Sequence, residues 1–234
     1  MSNRIAAIHQ PNFFPWLGYF DKIVRSDVFI FLDHVQYPKK GGTWSNRVKL
    51  IDVSGAEWIT APIARDYHGF RSYREMRFLE DAPWREKILR SMEVNYRRAP
   101  FFDENFDFLA ALILEREASL AIYNENAVRR IADRLGIETA KFCRSSELPH
   151  EGQSNEMLIS LALAVDADTY MCGGGAGEYQ QPEIFEKAGV RLMEQSFQPP
   201  RYAQIHVDWV PGLSVIDALF NVGTDGVREL LRIG

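Results

Sequence analysis

Five short apolar runs constrain the fold of this chain more than any other feature. They span Arg4–Ile8, Val28–Leu32, Ile137–Phe142, Thr169–Cys172 and Val190–Glu194. Because most of them lack strict alternation, they are typical of strands covered on both faces of a parallel sheet. Helical patterns precede the last three runs, and the clearest, Asn124–Leu135, ends at Gly136. The pattern predicts an α/β fold with a mostly parallel, Rossmann-like sheet of about five strands.

The segment between the second and third runs differs from the rest of the chain in composition and in its predicted elements. Aromatic and Arg-rich β-like pieces lie at Thr43–Ile51, Trp58–Ile63 and Tyr73–Leu79, followed by helical patterns near Trp84–Tyr96 and Phe101–Glu117. Such a segment is too long for a simple crossover. We therefore expect residues 35–119 to form an inserted β/α cap region. The α/β core would comprise residues 1–34 and 120–234, with C-terminal helices starting near Ser214 and Thr224.

Composition and charge exclude several classes of protein. With 46% hydrophobic and 25% charged residues, the chain is globular rather than disordered. A net charge of −5 supplies no broad basic field, so we expect no duplex nucleic acid as a partner. Phe106–Leu114, the longest nearly unbroken apolar stretch, is too short to span a membrane, and the N-terminus lacks a signal-peptide core. Together with two distant cysteines, these features predict a cytoplasmic protein without a membrane span.

The residues directly after the predicted strands are unusually polar. They are His9, Gln10, Pro11 and Asn12; Asp33, His34 and Gln36; Arg144, Ser145 and Ser146; Gly173 to Gly177; and Gln195 and Ser196. Ligands bind open parallel sheets beyond the carboxyl ends of the strands, so this set predicts the functional site. A structural role stays open, because loops are polar in any protein.

The turn after the first strand is the most informative segment. His9–Ile23 contains two prolines, and Gly18 stands where the backbone turns closely before a helix whose N-terminus suits a phosphate or carboxylate. Trp16 to Tyr19 resembles an aromatic remnant of the His-x-Gly-His signature of nucleotidyltransferase-type α/β folds. Since Trp and Tyr cannot stabilise phosphate charge as histidines do, nucleotidyl transfer through this motif is not expected. The predicted substrate-binding residues here are Gln10, Asn12, Trp16, Gly18 and Tyr19.

Three residues are predicted to be catalytic. His9, at the end of the first strand, is either a general base or a neutral core histidine. Asp33 follows the neighbouring strand and either orients an imidazole or forms a turn. Arg47 offers a two-pronged donor for phosphate or carboxylate, next to the predicted binding residues Trp44 and Asn46. A solvated hairpin remains the alternative for this last segment.

A glycine-rich bend follows the fourth strand. It matches neither the Walker loop nor a dinucleotide fingerprint. Its glycines would nevertheless let the backbone N–H groups come close to a bound anion. Its predicted binding residues are Gly173, Gly174, Gly175, Gly177 and Tyr179. The five histidines show no metal-ligand spacing, so we expect no metal. Asp217, three residues after Ser214, is interpreted as part of a capping box.

Four segments of the chain resemble the WbqC-like family. They are Ile8–Ile23, Asp27–Leu50, the glycine bend before Tyr179, and Tyr202–Gly223. That family occurs with bacterial surface-polysaccharide and nucleotide-sugar gene sets, and some members are described as glycine or amino-acyl transferases acting on amino sugars. The resemblance assigns no catalytic residue. The positions that match are His9, Gln10, Pro11, Asn12, Pro15, Trp16, Gly18, Tyr19, Asp33, Trp44, Asn46, Arg47, Gly174, Tyr179, Asp217 and Asn221.

Residues and resemblance together predict a transferase that tailors a nucleotide-activated amino sugar or similar phosphorylated substrate. The reaction would be acyl or amino-acyl transfer, glycyl transfer included, to an amine in polysaccharide (O-antigen) biosynthesis. The partner would be a phosphorylated or nucleotide-linked small molecule; the sequence indicates neither a cofactor nor an oligomeric state. Two alternatives stay open: a nucleotidyltransferase-like or ATP-using ligase, and a non-catalytic ligand-binding subunit.

Overall fold

The computed structural model describes residues 3–39, 43–174 and 180–233 and contains a five-stranded sheet and a two-stranded sheet. The strands are β1 (Ile5–His9), β2 (Val28–Phe31), β3 (Arg47–Asp52), β4 (Gly55–Thr60), β5 (Phe142–Arg144), β6 (Thr169–Cys172) and β7 (Arg191–Glu194). The helices are α1 (Leu17–Val24), α2 (Trp84–Tyr96), α3 (Phe102–Leu114), α4 (Leu120–Arg134), α5 (Asn155–Ala164), α6 (Pro182–Lys187) and α7 (Val215–Leu230). Short 3-10 turns occupy Tyr73–Glu75 and Ser145–Glu147.

The larger sheet is parallel throughout, with the strand order β5-β2-β1-β6-β7. The chain moves outward from β1 to β2 and β5, then crosses back to β6 and β7 on the other side of β1. Winding therefore reverses between β1 and β6, where Ala6 pairs with Tyr170. Doubly wound sheets bind ligands at such a switch point, beyond the carboxyl ends of the strands. The predicted α/β class with a five-stranded parallel sheet is confirmed.

Burial on both faces explains why the strands are apolar without alternation. In β1, Ala7 packs into an apolar cluster with residues of α1, α4 and α7, whereas Ala6 and Ile8 pack into a second cluster with α5 and α6. β2 divides in the same way, with Phe29 on one face and Ile30 on the other. Helices thus cover both sides of the sheet.

Among the described residues, no helix combines the length and apolarity needed to cross a bilayer.

The third predicted strand exists, but its predicted bounds, Ile137–Phe142, are wrong. β5 runs from Phe142 to Arg144, because its pairing with β2 begins at Phe142 opposite Phe29. Ile137 instead closes the end of α4: its N–H donates to the carbonyl of Ala132 at 2.9 Å, and Gly136 has a φ of 72°. Ile137 is apolar because it packs at the end of α4, and in the sequence this apolar residue resembles the start of a strand.

Two other local predictions are corrected. α4 begins at Leu120 rather than Asn124, and the buried Asn124 amide donates to the carbonyls of Pro11 and Ser45 at 2.9 and 2.7 Å. The β-like piece Tyr73–Leu79 forms a 3-10 turn and isolated bridges rather than a strand.

The antiparallel pair β3–β4 fits the mixed character predicted for residues 35–119. Val48 and Ile59, which pair across the two strands, are buried in the same apolar cluster as Phe13 and Phe14 after β1. The insertion therefore packs directly against the turn that follows the first strand. The proposed boundaries at residues 34 and 120 stay a prediction, because this cluster runs across both.

α7 is broken at Gly223, next to the predicted second helix start at Thr224. Gly223 has a φ of 70° and a ψ of 178°, a conformation that essentially only glycine adopts. A Cβ at this position would stand 2.6 Å from Cδ1 of Phe101. The Phe101 ring therefore lies close against the backbone at this break.

Replacing Gly223 by Ala should therefore destabilise the protein. We expect a loss of about 3 kcal/mol in the free energy of unfolding, from backbone strain and the Phe101 clash together. Gly189→Ala is the control, because Gly189 also has a positive φ, 73°, but its Cβ would meet nothing within 4 Å. Urea denaturation should show a loss of only about 1 kcal/mol for that variant. Equal losses would contradict the role assigned to Phe101.

Candidate functional site

A cleft of about 610 Å³ opens beyond the carboxyl ends of β1, β6 and β7. We refer to it as the switch-point cleft. Seven predicted site residues line it: His9, Trp16, Gly18, Tyr19, Trp44, Gly173 and Gly174. The predicted meeting of His9 with the start of the glycine bend is thus found in the structure. Gly175, Gly177 and Tyr179 lie outside the described residues, so their proposed contacts stay predictions.

His9 is a neutral imidazole in the wall of this cleft. Its Nδ1 lies 3.1 Å from the carbonyl oxygen of Gln10, and because a carbonyl only accepts, Nδ1 carries the hydrogen. Burial above all, with help from the positive charge of Lys22, lowers the pKa of His9 to about 3. Within the described part of the chain, Nε2 has no hydrogen-bond partner. This nitrogen keeps its lone pair and is able to accept a proton or a hydrogen bond from a ligand.

Lys22 is a cleft residue that the sequence did not reveal. Its side chain is only 3% exposed, and Nζ donates to the carbonyl of Ile8 at 3.0 Å. Burial lowers the pKa of this ammonium group to about 8, against the opposite effect of Cys172. An ammonium group has three donors, and the described residues account for one. The available signal was spacing, since Lys22 stands four residues after Gly18 and therefore on the same face of α1.

Aromatic rings form one side of the cleft. The rings of Trp16 and Trp44 lie 4.7 Å apart, and Trp44 contacts Trp58 at 4.5 Å. The Arg47 guanidinium lies over Trp58 at 4.0 Å, at the far end of this row. Arg47 therefore supports the aromatic row. The sequence had predicted that Arg47 would line the cleft together with His9, but Arg47 is not among the described residues that line it.

Two predicted binding residues are buried in structural hydrogen bonds. Asn12 Oδ1 accepts a hydrogen bond from Ser45 at 3.3 Å. Asn46 accepts from the Tyr37 hydroxyl at 2.9 Å and donates to the carbonyl of Ala61 at 3.0 Å. Both side chains hold the insertion in place and are not among the cleft residues. Gln10, a third predicted binding residue, acts through its main chain. Its carbonyl oxygen accepts hydrogen bonds from the Tyr19 hydroxyl at 3.0 Å and from His9.

Asp33 does not pair with His9. Its carboxylate accepts hydrogen bonds from the Ser145 hydroxyl at 2.9 Å and the Ser146 hydroxyl at 2.7 Å, and also from the N–H of Ser146. The described residues show no hydrogen bond between Asp33 and His9. The reason is topological: β2 pairs with β5 on its far edge, so nearer hydroxyls after β5 take the carboxylate. Nδ1 of the neighbouring residue His34 lies 2.6 Å from the oxygen of the same Ser145 hydroxyl.

The tail segment 196–213 closes another side of the cleft through Phe197, Pro199, Pro211 and Gly212. Its Tyr202 hydroxyl donates to Asp217 in α7 at 2.6 Å, and Tyr96 donates to the other carboxylate oxygen at 2.9 Å. Ser214 caps α7 as predicted, accepting from the N–H of Ile216 at 3.2 Å. Asp217, by contrast, anchors the tail rather than completing a capping box.

Gly18 should be intolerant of substitution, because a Cβ there would clash with Nε1 of Trp16 and would lie 2.8 Å from Phe197. We expect Gly18→Ala to displace both rings and to lower the free energy of unfolding by about 1–3 kcal/mol. Gly173→Ala is the matched control in the same cleft, since its Cβ would have no neighbour within 4 Å among the described residues. Urea denaturation and tryptophan fluorescence measure the two effects. An unchanged spectrum and stability for Gly18→Ala would contradict the close packing of Trp16.

Asp217 should give stability a distinctive pH dependence. Burial raises its pKa to about 6, so the folded protein binds this proton more tightly than the unfolded chain. The stabilising contribution is complete below about pH 4 and is lost as the pH rises through 6. Relative to the wild type, Asp217→Asn should therefore be less stable at pH 5 than at pH 7, by about 1 kcal/mol.

Urea denaturation at both pH values tests this expectation. Asp225→Asn serves as the control, because it removes an exposed carboxylate from the same helix. A difference between wild type and Asp217→Asn that does not change with pH would contradict the raised pKa of Asp217.

Comparison with known proteins gives two matches. The model of the WbqC-like protein family matches residues 10–229. The uncharacterized protein Rv1507c of Mycobacterium tuberculosis is 32% identical over 221 residues, which cover 94% of each chain. No solved structure matches the chain.

Proposed function

The chain belongs to the WbqC-like protein family, and on this premise we propose that it is a transferase acting on a nucleotide-activated amino sugar or a similar phosphorylated substrate. In the proposed reaction an acyl or amino-acyl group, such as glycyl, passes to a substrate amine in polysaccharide biosynthesis. The observation that carries the proposal is the meeting of a neutral imidazole, a buried ammonium group and the start of a glycine bend in one cleft.

The size and lining of the switch-point cleft support a phosphorylated substrate. Its volume of about 610 Å³ lies within the usual range of small-molecule sites. Lys22 offers a cation to a phosphate, and Gly173 leaves the backbone open after β6. Trp16 and Trp44 offer flat faces to a base or a sugar ring.

The proposed chemistry places His9 next to the attacking amine. The amine nitrogen forms a bond to the acyl carbon, the bond from that carbon to its leaving group breaks, and the proton of the amine passes to Nε2 of His9. In the free protein His9 is a weak base, since its pKa is about 3. A phosphate bound beside His9 and Lys22 would raise this pKa, because negative charge favours the imidazolium form. Basicity would thereby move toward the range useful at neutral pH.

The first test is calorimetry of the purified protein with a UDP-sugar, a dTDP-sugar and ATP. The proposal expects saturable binding of a nucleotide sugar that weakens in Lys22→Met. Lys141→Met is the control. Like Lys22, the partly buried Lys141 donates to main-chain carbonyls, but it lies outside the cleft. Binding of ATP in preference to the sugars would support the ligase or nucleotidyltransferase-like alternative instead.

The second test concerns His9. With an identified acyl donor and amine, His9→Gln should lower kcat by about 100-fold or more while nucleotide-sugar affinity is retained. His150→Gln, outside the cleft, should keep its turnover. Full turnover by His9→Gln would contradict the role of His9 as base. If His9→Gln also rescued the phenotype of a deletion strain completely, a non-catalytic ligand-binding subunit would be the better description.

A further inference from the structure

A second cleft, of about 290 Å³, opens near the carboxyl ends of β2 and β5, on the opposite side of β1 from β6. Among the described residues, none lines both this cleft and the switch-point cleft. We infer that this second cleft, here named the arginine cleft after Arg74 and Arg77, binds the oxyanion of a small ligand, either a phosphate or a carboxylate group. The inference does not rest on the transferase function proposed above.

The N-terminus of α4 opens into the arginine cleft. Leu120 donates its N–H to the carbonyl of Met76 at 3.0 Å, but the N–H groups of Ala121 and Ile122 have no acceptor among the described residues. The first turn of this 15-residue helix contains no acidic residue, and the N-cap residue Ser119 makes no side-chain cap. Two free N–H groups and the positive end of the helix dipole therefore face the cleft, and both favour an anion.

Ser119 supplies a second, independent observation. The residue lines the cleft and is only 2% exposed, yet its buried hydroxyl oxygen has no hydrogen-bond partner among the residues that the structure describes. Buried hydroxyl groups are nearly always paired in folded proteins, because an unpaired one loses its bonds to water without compensation. A ligand oxygen in the cleft would accept from this hydroxyl.

Two guanidinium groups at the cleft are also free. Within the described part of the chain, neither Arg74 nor Arg77 makes a side-chain hydrogen bond or an ion pair. Their main chains are nevertheless well held: the N–H of Arg74 donates to the carbonyl of Asp33 at 2.9 Å, and Arg77 forms a β-bridge with Ser119. Fixed backbones with unpaired guanidinium groups suit the capture of an oxyanion.

The carboxylates of the cleft are already paired. Asp33 accepts from Ser146 at 2.7 Å, and Glu125 and Glu147 accept from Arg144 at 2.6 and 3.0 Å. Among the described residues, the groups left without partners are two guanidinium groups and two N–H groups, which can only donate, and one hydroxyl, which can donate as well as accept. This imbalance selects an anion over a cation. The small volume favours a phosphate or carboxylate with few attached atoms rather than a whole nucleotide.

Nitrogen-15 NMR of the full chain in a phosphate-free buffer tests the inference. The two probes are inorganic phosphate and acetate, which separate a phosphate site from a carboxylate site. The expected result is a saturable shift of the Ala121 and Ile122 amide resonances with at least one probe, without a shift of the Trp16 and Trp44 indole resonances.

Substitutions sharpen the test. The double variant Arg74→Gln, Arg77→Gln should weaken binding of the effective probe by about tenfold or more. Ser119→Ala should weaken it by a smaller factor. Arg90→Gln, at an exposed arginine on α2 outside the cleft, makes the same type of substitution and removes one positive charge; it should bind as the wild type does.

Three results would overturn the inference: no saturable shift with either probe, shifts confined to the indoles of the switch-point cleft, or equal weakening by Arg90→Gln and the double variant. The double variant should still bind a nucleotide sugar in calorimetry as the wild type does. Failure of the arginine cleft is therefore distinguishable from failure of the proposed transferase function.

Discussion

The position of β1 is the constraint on which the rest of the structure depends. β2 and β6 pair with its two edges, and apolar clusters cover both of its faces. A strand enclosed in this way is accessible only at its ends, so its last residue, His9, becomes the point where ligands can reach the centre of the sheet. The reversal of winding between β1 and β6 opens the space next to it.

The cleft at that point is assembled from distant segments by aromatic packing. Trp16 comes from the first turn, Trp44 from the insertion and Phe197 from the tail, and the absence of a side chain at Gly18 lets Trp16 and Phe197 approach α1 closely. The tail is held by the buried Asp217, which accepts hydrogen bonds from two tyrosines. The shape of the cleft thus depends on contacts that lie well below its surface.

Two clefts at one edge of the sheet differ because their polar groups are satisfied differently. Burial keeps His9 neutral and lowers the pKa of Lys22 in the first cleft, which leaves a lone pair close to a cation. In the arginine cleft the lining carboxylates accept hydrogen bonds, while Ser119 and the start of α4 keep donors that have no partner in the described part of the chain. The first arrangement suits proton transfer near a bound phosphate, and the second suits capture of an oxyanion.

The sequence by itself determined the α/β class, most strand positions and the meeting of His9 with the start of the glycine bend. Strands buried on both faces are apolar without alternation, and glycines mark helix ends, so both features can be recognised from local sequence. It misplaced β5, since Ile137 is apolar for the sake of a helix end rather than a strand. Tertiary structure alone decided that Arg47 stacks on Trp58 and that Asp33 binds Ser145, 112 residues away. Such pairings depend on which buried groups find partners after packing, and no periodicity in the sequence encodes that choice.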